Sequence, residues 1–97
     1  MLIRIVRMTF QEEKVEDFLA IFSASKDKIR NFEGCSYLEL LRDAERAYVF
    51  TTYSHWESEQ ALEKYKQSSL FQTTWAATKL LFADKPLAFS SYSLVKV

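Results

Sequence analysis

The side chain with the clearest capacity for acid–base chemistry is His55, the only histidine in the chain. An imidazole titrates near neutral pH and can take up and release a proton during catalysis. His55 precedes Trp56 at the end of a β-rich run, and successive strand residues point to opposite faces of a sheet. If Trp56 faces a pocket, His55 does not, so the order of the two residues favours a histidine at the surface or at a dimer edge.

A second reactive side chain is Cys35, the only cysteine, so the chain has no internal disulfide. It follows the end of a predicted helix, where the helix dipole disfavours a thiolate, and we interpret it as structural. One histidine and one cysteine twenty residues apart are not a known metal-ligand set, so we predict no metal site. With a single glycine in the chain, a glycine-rich phosphate or dinucleotide loop is close to impossible.

The more distinctive feature is a group of aromatic residues in the second half of the chain. Trp56 lies where a strand pattern gives way to a helix pattern, and Phe71 and Trp75 lie four residues apart on one helix face. We predict that these three residues line a small pocket; ordinary core packing is the alternative, because aromatic rings bury large areas. Tyr37 and Tyr53 are predicted to add hydrogen-bond donors to the pocket, or to be half-buried strand residues.

The elements that position these residues follow the order βαββαβ. Periodicity predicts strands at Leu2–Phe10, Cys35–Asp43, Ala47–Ser54 and Leu87–Val97. One helix is predicted from Gln11 to Phe32, ended by Gly34, and another from Glu57 to about Ala83, with a break at 67–69. This order defines a single ferredoxin-like α+β domain over residues 1–97, an antiparallel four-stranded sheet with helices on one face.

Apolar residues alternate onto both faces of the predicted sheet, although two helices can cover only one face. In the first strand, Ile3 and Ile5 point away from the side shared by Leu2, Val6, Met8 and Phe10. The formal net charge is zero, which does not oppose self-association. We therefore predict a homodimer with the uncovered sheet faces packed together; a monomer with an apolar surface is the alternative.

Charge and hydropathy patterning exclude other classes of partner. The chain has no excess of basic residues, which a nucleic-acid-binding protein would be expected to have. No apolar run is long enough to span a membrane. The first seven residues alternate charged with apolar side chains, unlike a signal peptide, so we expect a cytoplasmic protein.

Two segments resemble the antibiotic biosynthesis monooxygenase family. E-G-C-S-Y-L-E-L at 33–40 is similar to a strand entry of that family, and Y-S-H-W-E-S-E-Q-A-L-E-K-Y-K-Q-S-S-L-F at 53–71 is similar to its most recognisable block. The positions that match at the family spacing are Trp56, Ala61, Leu62, Ser68 and Phe71. The resemblance implies a dimeric α/β barrel, with a pocket between sheet and helices in each subunit. It also implies oxidation of a phenol or hydroquinone by oxygen without a cofactor.

The resemblance carries over only in part when it is taken residue by residue. Trp56 matches the family tryptophan, but the asparagine that the oxygenases tend to have four residues earlier is Thr52 here. Heme-degrading members have an asparagine on the first strand, where this chain has Val6 or Arg7. They also have a histidine at the position of Trp75. The resemblance therefore argues against heme degradation.

Two functional hypotheses follow. The first is a cofactor-independent monooxygenase of a small aromatic or quinol-type substrate, with Trp56, Thr52 and His55 as candidate catalytic residues. The alternative is a non-catalytic, small-molecule-binding or stress-related dimeric module of the same fold, in which the aromatic residues are only core. A cavity with a polar group near Trp56 would favour the first hypothesis, and a filled core would favour the second.

Overall fold

A computed structural model describes residues 1–97 as an antiparallel sheet with helices on one of its faces. The elements in chain order are β1 Leu2–Thr9, α1 Val15–Arg30, β2 Cys35–Arg42, β3 Val49–Trp56, α2 Glu59–Lys66, α3 Ser69–Lys79 and β4 Leu87–Tyr92. A 3-10 turn at Glu12–Lys14 leads into α1. The predicted ferredoxin-like α+β fold is confirmed, with three helices where the sequence pattern indicated two helical regions.

The strands lie in the order β2-β3-β1-β4, and every neighbouring pair is antiparallel. In the register of β1 with β3, Val6 is opposite Thr52 and Arg4 is opposite Ser54. Because side chains alternate along a strand, these four residues and Trp56 share the face that the helices cover. This register gathers the polar residues of the site at the centre of the sheet.

The predicted second helical region is divided into α2 and α3 at Gln67 and Ser68, so the break expected there is confirmed. Each helix has its own serine cap. The Ser58 hydroxyl accepts a hydrogen bond from the Ala61 N–H at 3.1 Å, and the Ser68 hydroxyl accepts one from the Phe71 N–H at 3.1 Å. A capping side chain satisfies a backbone donor that the first turn of a helix leaves without a partner.

The last strand is shorter than the sequence pattern indicates. It ends at Tyr92 rather than Val97, because Tyr92 pairs with Leu2, the first residue of β1, and no further ladder partner follows. Residues 93–97 have no regular structure, and Leu94 and Val95 are exposed. By contrast, β3 runs on to Trp56 because that residue pairs with both Leu2 and Cys35.

The buried core between sheet and helices is divided into two clusters. The Trp56 cluster contains Leu2, Cys35, Trp56 and Leu62. The Phe10 cluster contains Met8, Phe10, Phe18 and Phe50. The two clusters lie toward opposite ends of β1 and β3, so the middle of the layer is packed by half-buried residues and by the cavity described below.

The other face of the sheet has no helix over it and is rich in apolar side chains. Exposed residues of this open face include Leu41 on β2 and Leu87 and Phe89 on β4, each at least 41% exposed.

The two charged residues in the middle of strands on the open face each have a partner within the chain. Arg7 lies 3.6 Å from Asp43, and Glu39 accepts a hydrogen bond from the Tyr37 hydroxyl at 2.8 Å. Within the chain, Arg7 and Glu39 therefore have separate partners and do not pair with each other.

Gly34 joins α1 to β2 at a point where the backbone comes very close to α2. It has a φ of 90°, a conformation that favours glycine. A Cβ at this position would lie 2.6 Å from the Cβ of Ala61, and the Gly34 carbonyl accepts a hydrogen bond from the Glu57 N–H at 2.8 Å. The left-handed conformation predicted for Gly34 is confirmed, but the helix ends earlier, at Arg30 with Asn31 as its C-cap, so Gly34 belongs to the turn before β2 and permits the close contact there.

We expect Gly34→Ala to lower the free energy of unfolding by about 2 kcal/mol or more, because backbone strain adds to the steric overlap. Urea unfolding monitored by circular dichroism measures this change. Ala61→Gly removes the other side of the contact, so the double mutant recovers part of the loss. Strictly additive effects of the two substitutions would contradict a direct contact.

Candidate functional site

A cavity of about 140 Å³ lies between the Trp56 cluster and the Phe10 cluster, with the sheet as its floor and the helices as its roof. For comparison, an engineered apolar cavity of ~150 Å³ in another protein binds benzene. The floor is formed by side chains that point from the strands toward the helices: Arg4, Val6, Met8, Leu38, Thr52, Ser54, Trp56 and Ala88. The cavity is therefore large enough for a small aromatic ring.

A continuous series of aromatic contacts forms one wall of the cavity. Trp56 stacks on Tyr65 with ring centroids 4.8 Å apart, and Tyr65 meets the edge of Phe71 at 5.2 Å. Phe71 then stacks on Trp75 at 5.8 Å with an interplanar angle of 12°. Aromatic rings prefer such offset and edge contacts, so the series holds α2 and α3 to the end of β3.

Trp56 is fixed by a buried hydrogen bond as well as by packing. It is 1% exposed, and its indole N–H donates to the hydroxyl of Ser54 at 3.0 Å. The Ser54 hydroxyl in turn donates to the backbone carbonyl of Arg4 at 3.5 Å. A buried indole N–H without a partner would be costly, so Ser54 determines where the Trp56 ring can lie.

Three of the six hydroxyl groups around the cavity are bonded to the chain, and those of Thr52, Thr74 and Tyr65 are not. Ser25 donates to the Ile21 carbonyl at 2.8 Å, and Thr78 donates to the Thr74 carbonyl at 2.7 Å. No side-chain hydrogen bond of the structure involves the hydroxyl of Thr52, which lines the cavity two residues from Ser54. Thr52 can therefore offer a hydrogen bond to a bound molecule.

The roof also carries a phenol, Tyr65, that the sequence analysis did not assign to the pocket. Burial raises the pKa of Tyr65 to about 12, with a smaller contribution from Cys35. Its hydroxyl stays protonated at neutral pH and can act as a donor within the cavity. Tyr65 follows Leu62 by three residues on α2, and this helical spacing is the signal that places it on the inward face.

Two cations that the sequence analysis did not assign to the site also line the cavity. Arg4 projects from β1, and Lys66 is the last residue of α2. Both residues also line an adjoining surface depression, so they lie where the cavity meets the surface. The signal in the sequence is that Arg4 alternates with Leu2 and Val6, the inward-facing residues of β1.

The predicted pocket residues are divided between the two faces of the sheet. Trp56, Phe71, Trp75 and Thr52 all line the cavity. Tyr37 and Tyr53 do not line it, which corrects the expectation for these two. A register shift between Cys35 and Tyr37 turns Tyr37 to the open face, and Tyr53 alternates with Thr52.

His55 lies on the open face, where it forms an aromatic cluster with the two tyrosines. Its ring centroid is 5.0 Å from that of Tyr37 and 5.3 Å from that of Tyr53. The Nε2 atom of His55 is buried and has no hydrogen-bond partner. This position is on the opposite side of the sheet from Trp56, so His55 cannot exchange a proton directly with a molecule in the cavity.

Cys35 is buried in the Trp56 cluster. Burial raises the pKa of the Cys35 thiol, which the Tyr37 carbonyl and Arg30 offset in part. A buried thiol with a raised pKa is a poor nucleophile.

No group of three histidine, cysteine or acidic residues in the structure is arranged to hold a metal ion. None of the three helices has the length and hydropathy of a membrane crossing.

The fold and the cavity together define a ferredoxin-like α+β domain with a ligand-sized space between sheet and helices. Residues 1–77 match the family described as antibiotic biosynthesis monooxygenase, and the chain belongs to this family. Among curated proteins, no sequence matches this chain. The family membership predicted from the two sequence segments is therefore confirmed.

Solved structures agree with this fold at low sequence identity. A crystal structure of an antibiotic biosynthesis monooxygenase has a TM-score of 0.92 and 16% identity, with 98% of this chain and 100% of that chain covered. Rv0793 from Mycobacterium tuberculosis has a TM-score of 0.90 and 17% identity, with coverages of 98% and 96%. A conserved protein from Methanosarcina mazei Go1 has a TM-score of 0.88 and 18% identity, with coverages of 94% and 91%. At such identities the likeness establishes the fold alone.

The raised pKa of Tyr65 predicts a loss of stability at alkaline pH. The folded state keeps the phenolic proton above the pH at which the unfolded chain releases it. The free energy of unfolding therefore falls as the pH rises from about 10 to about 12. Tyr65→Phe removes this contribution, so its stability falls less over the same range. Urea unfolding at neutral pH and at several alkaline pH values measures both curves, and parallel curves would contradict the assignment.

Proposed function

We propose that the protein is a cofactor-independent monooxygenase that oxidises a small aromatic or quinol-type molecule in the cavity between sheet and helices. The observation that carries the proposal is an apolar cavity, walled by Trp56, Phe71 and Trp75, with the free hydroxyl of Thr52 in its floor. Such a space can exclude water and orient a ring with few polar groups. A module in which these aromatic residues were only core would have a filled interior in place of this space.

The reaction draws all its electrons from the substrate. A bound phenol loses its proton to water at the mouth of the cavity, and the phenolate passes one electron to dioxygen, which gives a radical pair. Recombination forms a carbon–oxygen bond at the ring, and the resulting peroxide takes up a proton. Loss of water then leaves a quinone, with one oxygen atom in the product and the other in the water. This scheme balances without a metal, flavin or external reductant.

The chain contributes binding and orientation to this scheme. Thr52 donates a hydrogen bond to the phenolic oxygen, which stabilises the phenolate, and Tyr65 is a second donor on the roof. The aromatic wall holds the ring plane and keeps water away from the peroxide. Since no side chain has to act as a nucleophile, the position of Cys35 outside the reaction is consistent with the proposal.

The test is oxygen uptake with a panel of hydroquinones and anthrone-like phenols, in the presence of EDTA and without added flavin. We expect uptake above the buffer rate for at least one compound, with an atom of labelled dioxygen in the product. No uptake with any compound would contradict catalysis and favour the alternative, a non-catalytic binding or stress-related module.

Thr52→Val is expected to slow this uptake about tenfold, which corresponds to the loss of one hydrogen bond of about 1.4 kcal/mol. Valine keeps the shape of threonine and removes only the hydroxyl. The matched control is Thr51→Val, one residue earlier on the same strand and facing the other side of the sheet. Equal rates in the two variants would remove Thr52 from the mechanism.

We also propose that the protein is a homodimer with its open sheet faces packed together. Support comes from the exposed apolar side chains of this face, which include Leu41, Leu87 and Phe89. Such a patch on a small domain of zero net charge is typical of an interaction surface. A second copy is the natural occupant, because the same patch on both subunits is complementary about a two-fold axis.

The dimer can be tested by sedimentation velocity at micromolar concentration. We expect the wild type to sediment as a dimer, and Ile5→Asp and Phe89→Asp to sediment as monomers because each places a charge in the interface. Leu80→Asp is the control, since Leu80 is 80% exposed at the end of α3 and away from the open face. A wild-type monomer of 11.4 kDa would overturn the proposal.

A further inference from the structure

The side chain of Arg4 faces the cavity without a carboxylate partner. Arg4 lies between Leu2 and Val6 on the helix side of β1, and its guanidinium donates to the Ser90 hydroxyl at 3.2 Å. The ion pairs of the chain involve Arg7, Arg46 and two lysines, but not Arg4. A guanidinium has five N–H donors, so most of the donors of Arg4 remain available to a ligand.

Lys66 brings a second positive charge to the same end of the cavity. Its ammonium lies 3.5 Å from a carboxylate oxygen of Glu63, and it lines the cavity together with Arg4. Glu59 and Glu63 line the adjoining surface depression with both cations, but neither acid lines the cavity. The acids therefore face the outer side of the two cations, which lie at the mouth of the cavity, and no acidic residue lines the cavity itself.

The partial burial of Arg4 supports a ligand contact at this position. Burial lowers the pKa of Arg4, and the charge of Glu63 offsets only part of this effect. A desolvated guanidinium gains most from an anion that it can bind with two parallel hydrogen bonds. A carboxylate fits that geometry, whereas a neutral ring offers Arg4 only a weaker cation–π contact.

The spacing of Arg4 and Thr52 suits one aromatic ring. Thr52 is opposite Val6 on the adjacent strand, two residues from the pair of Arg4 and Ser54. Strand geometry puts the Cα atoms of Arg4 and Thr52 about 8 Å apart. A ring can therefore present a hydroxyl to Thr52 and a carboxylate to Arg4 at the same time.

We propose that the cavity takes a hydroxylated aromatic carboxylate, with its carboxylate bound by Arg4 and Lys66 and its ring against the aromatic wall. The inference rests on the proposed function for the choice of a dihydroxybenzene ring. It explains why an arginine occupies an inward position of a strand whose other inward residues are apolar.

The test compares the binding of 2,5-dihydroxybenzoate with that of its methyl ester, by titration calorimetry under argon at neutral pH. The two compounds share the hydroquinone ring and differ in the negative charge. We expect the acid to bind the wild type at least tenfold more tightly than the ester. A smaller ratio, or no binding of either compound at millimolar concentration, overturns the proposal.

Substitutions test whether Arg4 and Lys66 cause the preference for the acid over its ester. Arg4→Met and Lys66→Met are each expected to reduce the ratio at least threefold, and Arg4→Lys to keep more of it than Arg4→Met. Arg46→Met and Lys64→Met are the matched controls, since both residues pair with acids away from the cavity. Circular dichroism verifies that each variant is folded. A ratio unchanged in both Arg4→Met and Lys66→Met overturns the proposal even if the wild type prefers the acid.

These measurements distinguish the two proposals because binding is measured without turnover. A preference for the acid without oxygen uptake supports the carboxylate site and contradicts the oxygenase. Oxygen uptake with neutral quinols and no preference for the acid supports the oxygenase and contradicts the carboxylate site.

Discussion

The hydrogen bond from the Trp56 indole to the Ser54 hydroxyl is the contact on which the site depends. It joins two residues of one strand on the same face, and so it fixes the ring at the end of the floor. Tyr65 stacks on that ring, and the remaining aromatic contacts follow from Tyr65 through Phe71 to Trp75. The positions of α2 and α3 over the sheet therefore depend on one fixed side chain, Trp56.

The alternation of side chains along the strands separates the residues that line the cavity from those of the open face. Thr52 and Ser54 face the cavity, whereas Thr51, Tyr53 and His55 face the open side. A substitution at Thr52 or Ser54 therefore changes the lining of the cavity, whereas a substitution at Thr51 or Tyr53 changes the open face. The small domain can thus combine a ligand site with an interface without using the same residues for both.

The fold could be predicted from the sequence because its signals are local. Period-two alternation defined the faces of β1, the single glycine marked the turn between the first helix and β2, and the serines at 68 and 69 marked the break between α2 and α3. The end of β4 could not be predicted, since it depends on where its partner β1 begins. The side of the sheet on which Tyr37 lies depends on a β-bulge, and no residue type in this segment indicates a bulge.

The site was predicted less completely than the fold. Trp56, Phe71, Trp75 and Thr52 line the cavity as expected, because each was identified from a spacing. Arg4 was missed because a single arginine in a strand normally indicates a solvent-facing position. Its alternation with Leu2 and Val6 was the available signal, and the structure shows that it lines the cavity. Tyr53 could have been excluded, since it lies three residues from Trp56 and so on the opposite face.

The roof combines the long helix α1 with the short helices α2 and α3, and the division between the two short helices has a consequence for the range of molecules that such a domain can accept. Each short helix has a separate serine at its start, and neither needs the other to satisfy its first turn. The height of the enclosed space is then a function of the angle at the Gln67–Ser68 joint. Sequence changes at that joint can adapt the space to thicker or thinner molecules while the sheet beneath stays the same.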